Sequence, residues 1–339
     1  MAEIELAPYF HPTQIVLIDD DIDFLGNLSL QLDADLGYLL FDSTHKALSY
    51  LNGRQSNGVA RGRFFSGLTN GHRELEPDRR EPIELDVDAL QREMHSSDRF
   101  SQISVALVDY AMPQMNGLEF CQQIQDPHVK KILFTGVATE SVAVDAFNRG
   151  IIDQYIRKHE HAVYDTLNQA IRAFQREYIR DVFVSAADVF PINVPDILKE
   201  PAVGQLLERL RADRGLVEYY LANDPSGFVF ADADGHTKRL VIQNRDERAR
   251  EVQRARDAGA PASIVDGLAA GAIMLDPGSA VYHELNWSVH TAPAAELVDS
   301  TDSLRWSLFE TPATQAGMQP RPSYNEFLEW LDTVGYSLM

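Results

Sequence analysis

SVALVDYAMPQMNGLEF, residues 104–120, is the stretch on which the fold turns. After Ser104 the chain runs apolar for four residues, stops at one carboxylate, Asp109, and turns through Met112-Pro113 and Asn116-Gly117 into an amphipathic segment. A short apolar run closed by turn residues reads as a buried strand. What needs explaining is the lone acid at its end.

Working outward, the first half alternates short β-branched runs with helical patterns, the signature of parallel βαβ units. Residues 14–18 (QIVLI) read as a buried strand. Residues 23–32 place Phe24, Leu25, Leu28 and Leu32 at helical spacing. Residues 38–41 give a second strand, and 43–51 a helix capped by Ser43 with Ala47, Leu48 and Leu51 on one face. From Asn52 to Pro82 the chain is rich in Gly, Asn and Arg and lacks apolar periodicity, so an exposed or partly mobile insertion is expected, followed by a helix over 86–94.

Beyond Asp109, GLEFCQQI reads as a helix, KKILFTG as a strand, ESVAVDAFNRG as a helix closed by Gly150, DQYIRK as a strand and 164–179 as a last helix. The sum, leaving the insertion's helix aside, is five strands and five helices. This is a doubly wound α/β domain with a five-stranded parallel sheet, and such sheets bind ligands at the carboxyl ends of their strands.

Those ends answer the question. Strand one finishes in Asp19-Asp20-Asp21, strand three in Asp109, strand four in Thr135 and strand five in Lys158. Carboxylates gathered without Cys or a His array suit a hard cation that keeps several waters, above all Mg²⁺. A carboxylate beside such an ion can act as nucleophile toward phosphorus, while the ion and a lysine share the charge on the phosphoryl oxygens. Asp21, at the entry to the first helix, reads as a cap.

On these residues the sequence resembles the receiver domain of bacterial two-component response regulators, a CheY-like fold. The likeness spans about 13–175 and rests on four strand-end motifs in the family's order: LIDDD, LVDYAMPQMNG, LFTG and YIRK. The resemblance implies that Asp109 is the phosphoacceptor and that Asp19 and Asp20, with Asp109 and the backbone carbonyl of Ala111, hold Mg²⁺. Thr135 would bind the new phosphoryl group, Lys158 would pair with it as the second catalytic group, and Tyr155 would swing inward when Thr135 moves. It further implies a sensor histidine kinase or phosphotransfer protein as partner and a homodimer on phosphorylation. The sequence departs from the family in the long gap between Asp20 and Asp109 and in His159, where the family commonly has Pro. The resemblance implies that Ala111 and Val137 flank the phosphoryl group; both are apolar and neither can position a hydrolytic water, so a long-lived phosphorylated state is expected.

The 339-residue chain is 45% hydrophobic and long enough for two cores. The domain reading is a receiver over 13–162 with an insertion at about 53–100, a helical linker over 163–182 and an α+β output domain over 183–339. In the linker helix Leu167, Ile171, Phe174 and Tyr178 alternate at three and four; the stripe reads as core packing, or as a dimer seam or lever if part of it is free. In the output half AVGQLLERLRADRG reads as a helix, and GFVFADADGHTKRLVI as a hairpin about Asp234-Gly235, weakly resembling the PAS sensor fold. RDERAREVQRARDAG reads as a charged helix, VYHELN and LRWSLFET as strands, and SYNEFLEWLDTVG as a helix opened by a capping box of Ser323 and Glu326.

With 51 acidic against 30 basic residues the formal charge is -21, a field that repels nucleic acid and anionic membrane, and no helix-turn-helix or P-loop is present. The single cysteine, Cys121, excludes an internal disulfide and a Cys-rich zinc site. No basic leader precedes the domain and no apolar run nears the roughly 20 residues of a membrane span, so a cytoplasmic protein without a membrane is expected. The leading reading is a phosphorylation-dependent response regulator, not a conventional enzyme, signalling through altered protein interaction or dimerisation. The alternatives are a receiver-gated enzyme or small-ligand sensor and, with less support, a DNA-binding regulator.

Overall fold

The computed structural model describes residues 5–53, 64–65, 83–136, 140–189, 192–277, 287, 291–297, 303–310 and 322–334. In chain order the elements are β1 (Tyr9–Phe10), β2 (Gln14–Ile18), α1 (Ile22–Ser29), β3 (Tyr38–Phe41), α2 (Thr44–Gly53), β4 (Ile83–Glu84), α3 (Val87–Glu93), β5 (Ile103–Val108), α4 (Gly117–Gln123), β6 (Lys130–Thr135), α5 (Glu140–Asn148), β7 (Gln154–Arg157) and α6 (Val163–Val189). The second half adds β8 (Ile192–Asn193), α7 (Pro201–Arg214), β9 (Leu216–Ala222), β10 (Gly227–Asp232), β11 (Thr237–Gln243), α8 (Arg245–Asp257), α9 (Ala262–Ala269), β12 (Ile273–Leu275), β13 (Thr291–Pro293), β14 (Ala295–Glu296), β15 (Arg305–Glu310) and α10 (Tyr324–Val334).

The parallel sheet has the order β3-β2-β5-β6-β7, the five strands expected. Every residue of β2 and β5 is buried, as strands covered on both faces must be. Alternate residues serve opposite layers. Ile15, Leu17, Val105 and Leu107 pack with Leu25 and Leu28 of α1 and with Leu167 and Ile171 of α6. Val16, Ile18, Ala106 and Val108 pack on the other side with Ala47 of α2 and Phe120 of α4. The segment set apart as a linker thus carries core residues of this sheet, and its helix runs unbroken past residue 182 to Val189.

A second sheet, antiparallel throughout, has the order β1-β9-β10-β11-β15-β14. The two-residue β1 is the unexpected member: Tyr9 pairs with Tyr220 and Phe10 with Tyr219, so the N-terminal segment belongs to the sheet of the C-terminal half. Only His11, Pro12 and Thr13 separate it from β2. The layer that holds Val16 and Val108 is continuous with Val203, Leu207, Tyr220 and Phe228 of the second half, so the two sheets share a core.

Polar groups join the halves as well. Tyr324 of α10, 2% exposed, accepts from the Gly37 amide at 3.1 Å and donates to the Asp35 carbonyl at 2.8 Å. Arg99 donates Nε to Glu218 Oε2 at 2.9 Å and Nη2 to Glu218 Oε1 at 3.0 Å, a two-pronged pair with both side chains 1% exposed or less. Burial works against the Arg99 charge, yet the Glu218 hydrogen bonds and attraction outweigh it and push its pKa up.

Within the insertion, Phe64 and Phe65 are buried, Phe65 stacking on Phe183 with ring centroids 5.8 Å apart; the expected exposed loop is therefore anchored there, and its other residues between 54 and 82 lie outside the described ones. In the second half the hairpin, the helix over 201–214, the Asn244-capped charged helix and the strand at 305–310 form as read, and Ser323 and Glu326 make their reciprocal cap. VYHELN lies outside the described residues.

Candidate functional site at the carboxyl edge of the parallel sheet

The site is built by register. Ile18 stands beside Val108, Val108 beside Leu133, and Thr135 beside Arg157, so the next residues, Asp19, Asp109 and Lys158, emerge along one edge. The Asp109 amide donates to the Ile18 carbonyl at 2.9 Å and the Asp19 amide to the Phe41 carbonyl at 3.2 Å, which continues the ladder to the acids themselves. Gly117 closes the loop after Asp109: a Cβ there would lie 2.2 Å from the Asp109 carbonyl oxygen, so only glycine allows this approach. Asn116 caps α4 in a reciprocal box with Glu119, which holds the turn in place.

Lys158 lies between the two buried acids. Its Nζ is 2.6 Å from Asp19 Oδ2 and 2.8 Å from Asp109 Oδ1, and 3.8 Å from the centre of the Phe24 ring. The ammonium is thus fixed by two carboxylates and an aromatic face. The other Asp109 oxygen, Oδ2, accepts from the Ala111 amide at 2.6 Å, and Asp19 Oδ1 accepts from the Asp21 amide at 3.0 Å. Burial pushes the Asp19 carboxyl above its ordinary value, although the hydrogen bond from Lys158 pulls it down.

Thr135 is fully buried at the end of β6, and the Lys158 amide donates to its carbonyl at 3.2 Å. Tyr155 is half-buried on β7, opposite Leu133, with the Arg157 guanidinium 5.9 Å from its ring centre. Asp21 is the N-cap of α1, accepting from the Phe24 amide at 2.9 Å. Asp20 is exposed. Among the described residues the trio of metal-ligating side chains whose donor atoms lie within 4.8 Å of one another is Asp232, Asp234 and His236, and Asp19, Asp20 and Asp109 do not form a second one. The trio sits in the β10–β11 turn, where Asp232 Oδ1 accepts from the Asp234 and His236 amides and serves the turn itself.

The edge offers oxygen donors and no thiolate or imidazole among Asp19, Asp20, Asp109 and Ala111, a donor set that fits Mg²⁺. Phe24 and Gly117 escaped sequence reasoning as site residues. In the sequence Phe24 reads as part of an apolar helix face and Gly117 as a turn residue. Val137 lies outside the described residues. Cys121 is buried, and burial pushes its thiol up to about 12, which leaves it inert.

A doubly wound parallel sheet with two buried acids and a lysine at its carboxyl edge defines the receiver class, and the response regulator receiver domain profile matches residues 86–172. The structure of the Legionella pneumophila response regulator LqsR superimposes with a TM-score of 0.76 at 30% identity, covering 98% of each chain. The chain belongs to the response regulators. An adenylate cyclase from Rhodopirellula baltica (21% identity, 52% of this chain and 96% of that one, TM-score 0.34) and a CheY-like receiver from Methanospirillum hungatei (17%, 50% and 98%, 0.31) overlap too little to bear on the argument. No curated protein matches the sequence. Among the described residues no helix is long and apolar enough to cross a membrane.

Proposed function

We propose that the protein is a phosphorylation-dependent regulator of a two-component system that takes a phosphoryl group from a histidine kinase or phosphotransfer protein onto Asp109. The observation that carries this reading is the Lys158 ammonium, 2.6 Å from Asp19 and 2.8 Å from Asp109 at one sheet edge. Mg²⁺ held by Asp19, Asp20, Asp109 and the Ala111 carbonyl would supply the remaining neutralisation of the phosphoryl oxygens. An Asp109 carboxylate oxygen attacks phosphorus, the bond from phosphorus to the donor imidazole nitrogen breaks, and the imidazole keeps the electron pair. Lys158 then exchanges an Asp109 oxygen for a phosphoryl oxygen, and the Ala111 amide holds the carboxyl oxygen it already meets. Thr135 turns its hydroxyl to the phosphoryl group, and Tyr155 follows it inward.

The domain assignment that goes with this reading is a receiver over 13–162, a helical linker over 163–182 that forms part of the longer α6, and an α+β output unit over 183–339. A cytoplasmic setting and a homodimer formed on phosphorylation complete it, and the apolar Ala111 favours a long-lived phosphorylated state. The test is labelling with ³²P acetyl phosphate and Mg²⁺: the wild-type protein takes up one equivalent, and Asp109→Asn takes up none. Labelling that persists in Asp109→Asn, or its absence from the wild-type protein with a cognate donor kinase as well, refutes the reading.

A further inference from the structure

At the amino edge of the parallel sheet a groove of about 540 Å³ opens between α1, the loop that follows it and α10. Helix α1 leaves the carboxyl edge at its cap Asp21 and returns the chain to the start of β3, so its last turn lies at the opposite end of the sheet from Asp109. The apolar walls include Leu30 and Leu36 on one side and Leu328 and Leu331 on the other.

The groove exists because the two halves are joined there. A Cβ on Gly37 would lie 3.1 Å from Leu331, and the Tyr324 hydroxyl accepts from the Gly37 amide at 3.1 Å, so α10 rests directly on the backbone before β3. Leu30, at the other lip, is 79% exposed, the most exposed large apolar side chain among the described residues. A lone exposed leucine is ordinary, but one that forms the lip of an apolar groove is half of a contact.

Charge indicates what fills it. Residues 19–45, which run through α1 to β3, and all of α10 contain no lysine or arginine. Asp33 and Asp332 line the groove, and Asp332 and Glu329, one turn apart on α10, are exposed. Arg172 of α6 reaches the loop but is shared between Asp33 and Asp35, at 2.6 Å from each. An apolar floor between acidic rims matches a helix whose apolar stripe is flanked by lysines or arginines, and it repels nucleic acid and anionic membrane. A second copy seated symmetrically would set the same acids against each other.

We propose that this groove docks a basic amphipathic helix of another protein, on a surface separate from the phosphotransfer edge. The partner's apolar side chains cover Leu30, Leu328 and Leu331, and its cations meet Asp33 and Asp332. The inference does not rest on phosphotransfer at Asp109.

The test uses the full chain and a synthetic peptide of leucine and lysine with its leucines on one helical face, followed by fluorescence anisotropy of the labelled peptide at physiological salt. A peptide of the same composition in scrambled order controls for general attraction to an acidic protein. Expected is saturable binding of one equivalent, with the scrambled peptide at least about tenfold weaker. Leu30→Ser leaves the charge unchanged and should weaken binding about tenfold, the worth of one leucine side chain taken out of water. Asp332→Lys should weaken it by about the same factor. Val144→Ser, on an exposed apolar residue of α5 outside the groove, and Asp109→Asn should match the wild-type protein. No saturable binding, equal affinity for the scrambled peptide, or equal affinity for wild type and Leu30→Ser overturns the proposal. So does dimerisation of the free chain that Leu30→Ser abolishes in sedimentation, which would make a second copy the occupant. The thermal midpoints of Leu30→Ser and Asp332→Lys should match that of the wild type; if one falls, the other decides.

Discussion

Replacing Arg99 by Met should be among the most damaging single changes in the molecule. Arg99 and Glu218 are both buried, and the two guanidinium bonds at 2.9 and 3.0 Å are the charge partners of the carboxylate. Without them Glu218 keeps, among the described residues, the Tyr220 hydroxyl at 2.9 Å, and a buried carboxylate with one neutral donor costs about 3–5 kcal/mol. With a urea m-value of roughly 3 kcal/mol/M for a chain of this size, the unfolding midpoint falls by about 1–1.7 M. Removing both charges, Arg99→Met with Glu218→Leu, should recover most of that loss, because a buried pair is worth little more than apolar side chains of the same volume. The assay is equilibrium urea unfolding followed by far-UV circular dichroism and tryptophan fluorescence. The pair joins the segment before β5 to β9, and the core is shared, so the two probes should move together. A midpoint shift below about 0.3 M for Arg99→Met, or a double variant no more stable than the single, refutes the argument.

Further outcomes follow from the site. Lys158→Ala removes the cation between Asp19 and Asp109, and the initial rate of labelling by acetyl phosphate should fall at least about tenfold with far-UV circular dichroism unchanged. Gly117→Ala forces a methyl against the Asp109 carbonyl, 2.2 Å away if nothing moves; it should cost about 1–3 kcal/mol in urea unfolding and slow labelling, whereas Gly26→Ala, with open space around it, does neither. Asp19 has a carboxyl pKa raised by burial, so between its ordinary and its raised value the folded protein keeps a proton that the unfolded chain has released. Stability therefore falls as pH rises through that window. Asp19→Asn should remove this slope and raise the thermal midpoint at neutral pH, measured by calorimetry between about pH 4 and 8.

Much of the parallel sheet could be read residue by residue because its information is local. The runs at 14–18, 104–108 and 130–135 are short, apolar and β-branched, each is followed by a helical period, and the cap Asp21, like Ser323 in the second half, acts within three residues of itself. Asp109 was legible for the same reason: a charged residue ends an apolar run, and parallel strands bring such ends to one edge. Phe24 was hidden in its helix period, since an aromatic that supports an ammonium looks the same in sequence as one that fills a core.

The sequence by itself determined the doubly wound domain, the order of its strands' ends and the acids and lysine that stand there, because strand, helix and cap preferences act over a few residues. Only the tertiary structure decided that Tyr9 and Phe10 complete the sheet of the other half, that Arg99 pairs with Glu218, that Tyr324 binds the Gly37 amide, and that a cleft opens between the N-terminal segment, α6 and α7. Each of these joins residues a hundred or more positions apart, or depends on the space left between them. Burial, pairing and close packing settle such choices, and no window of the chain records them.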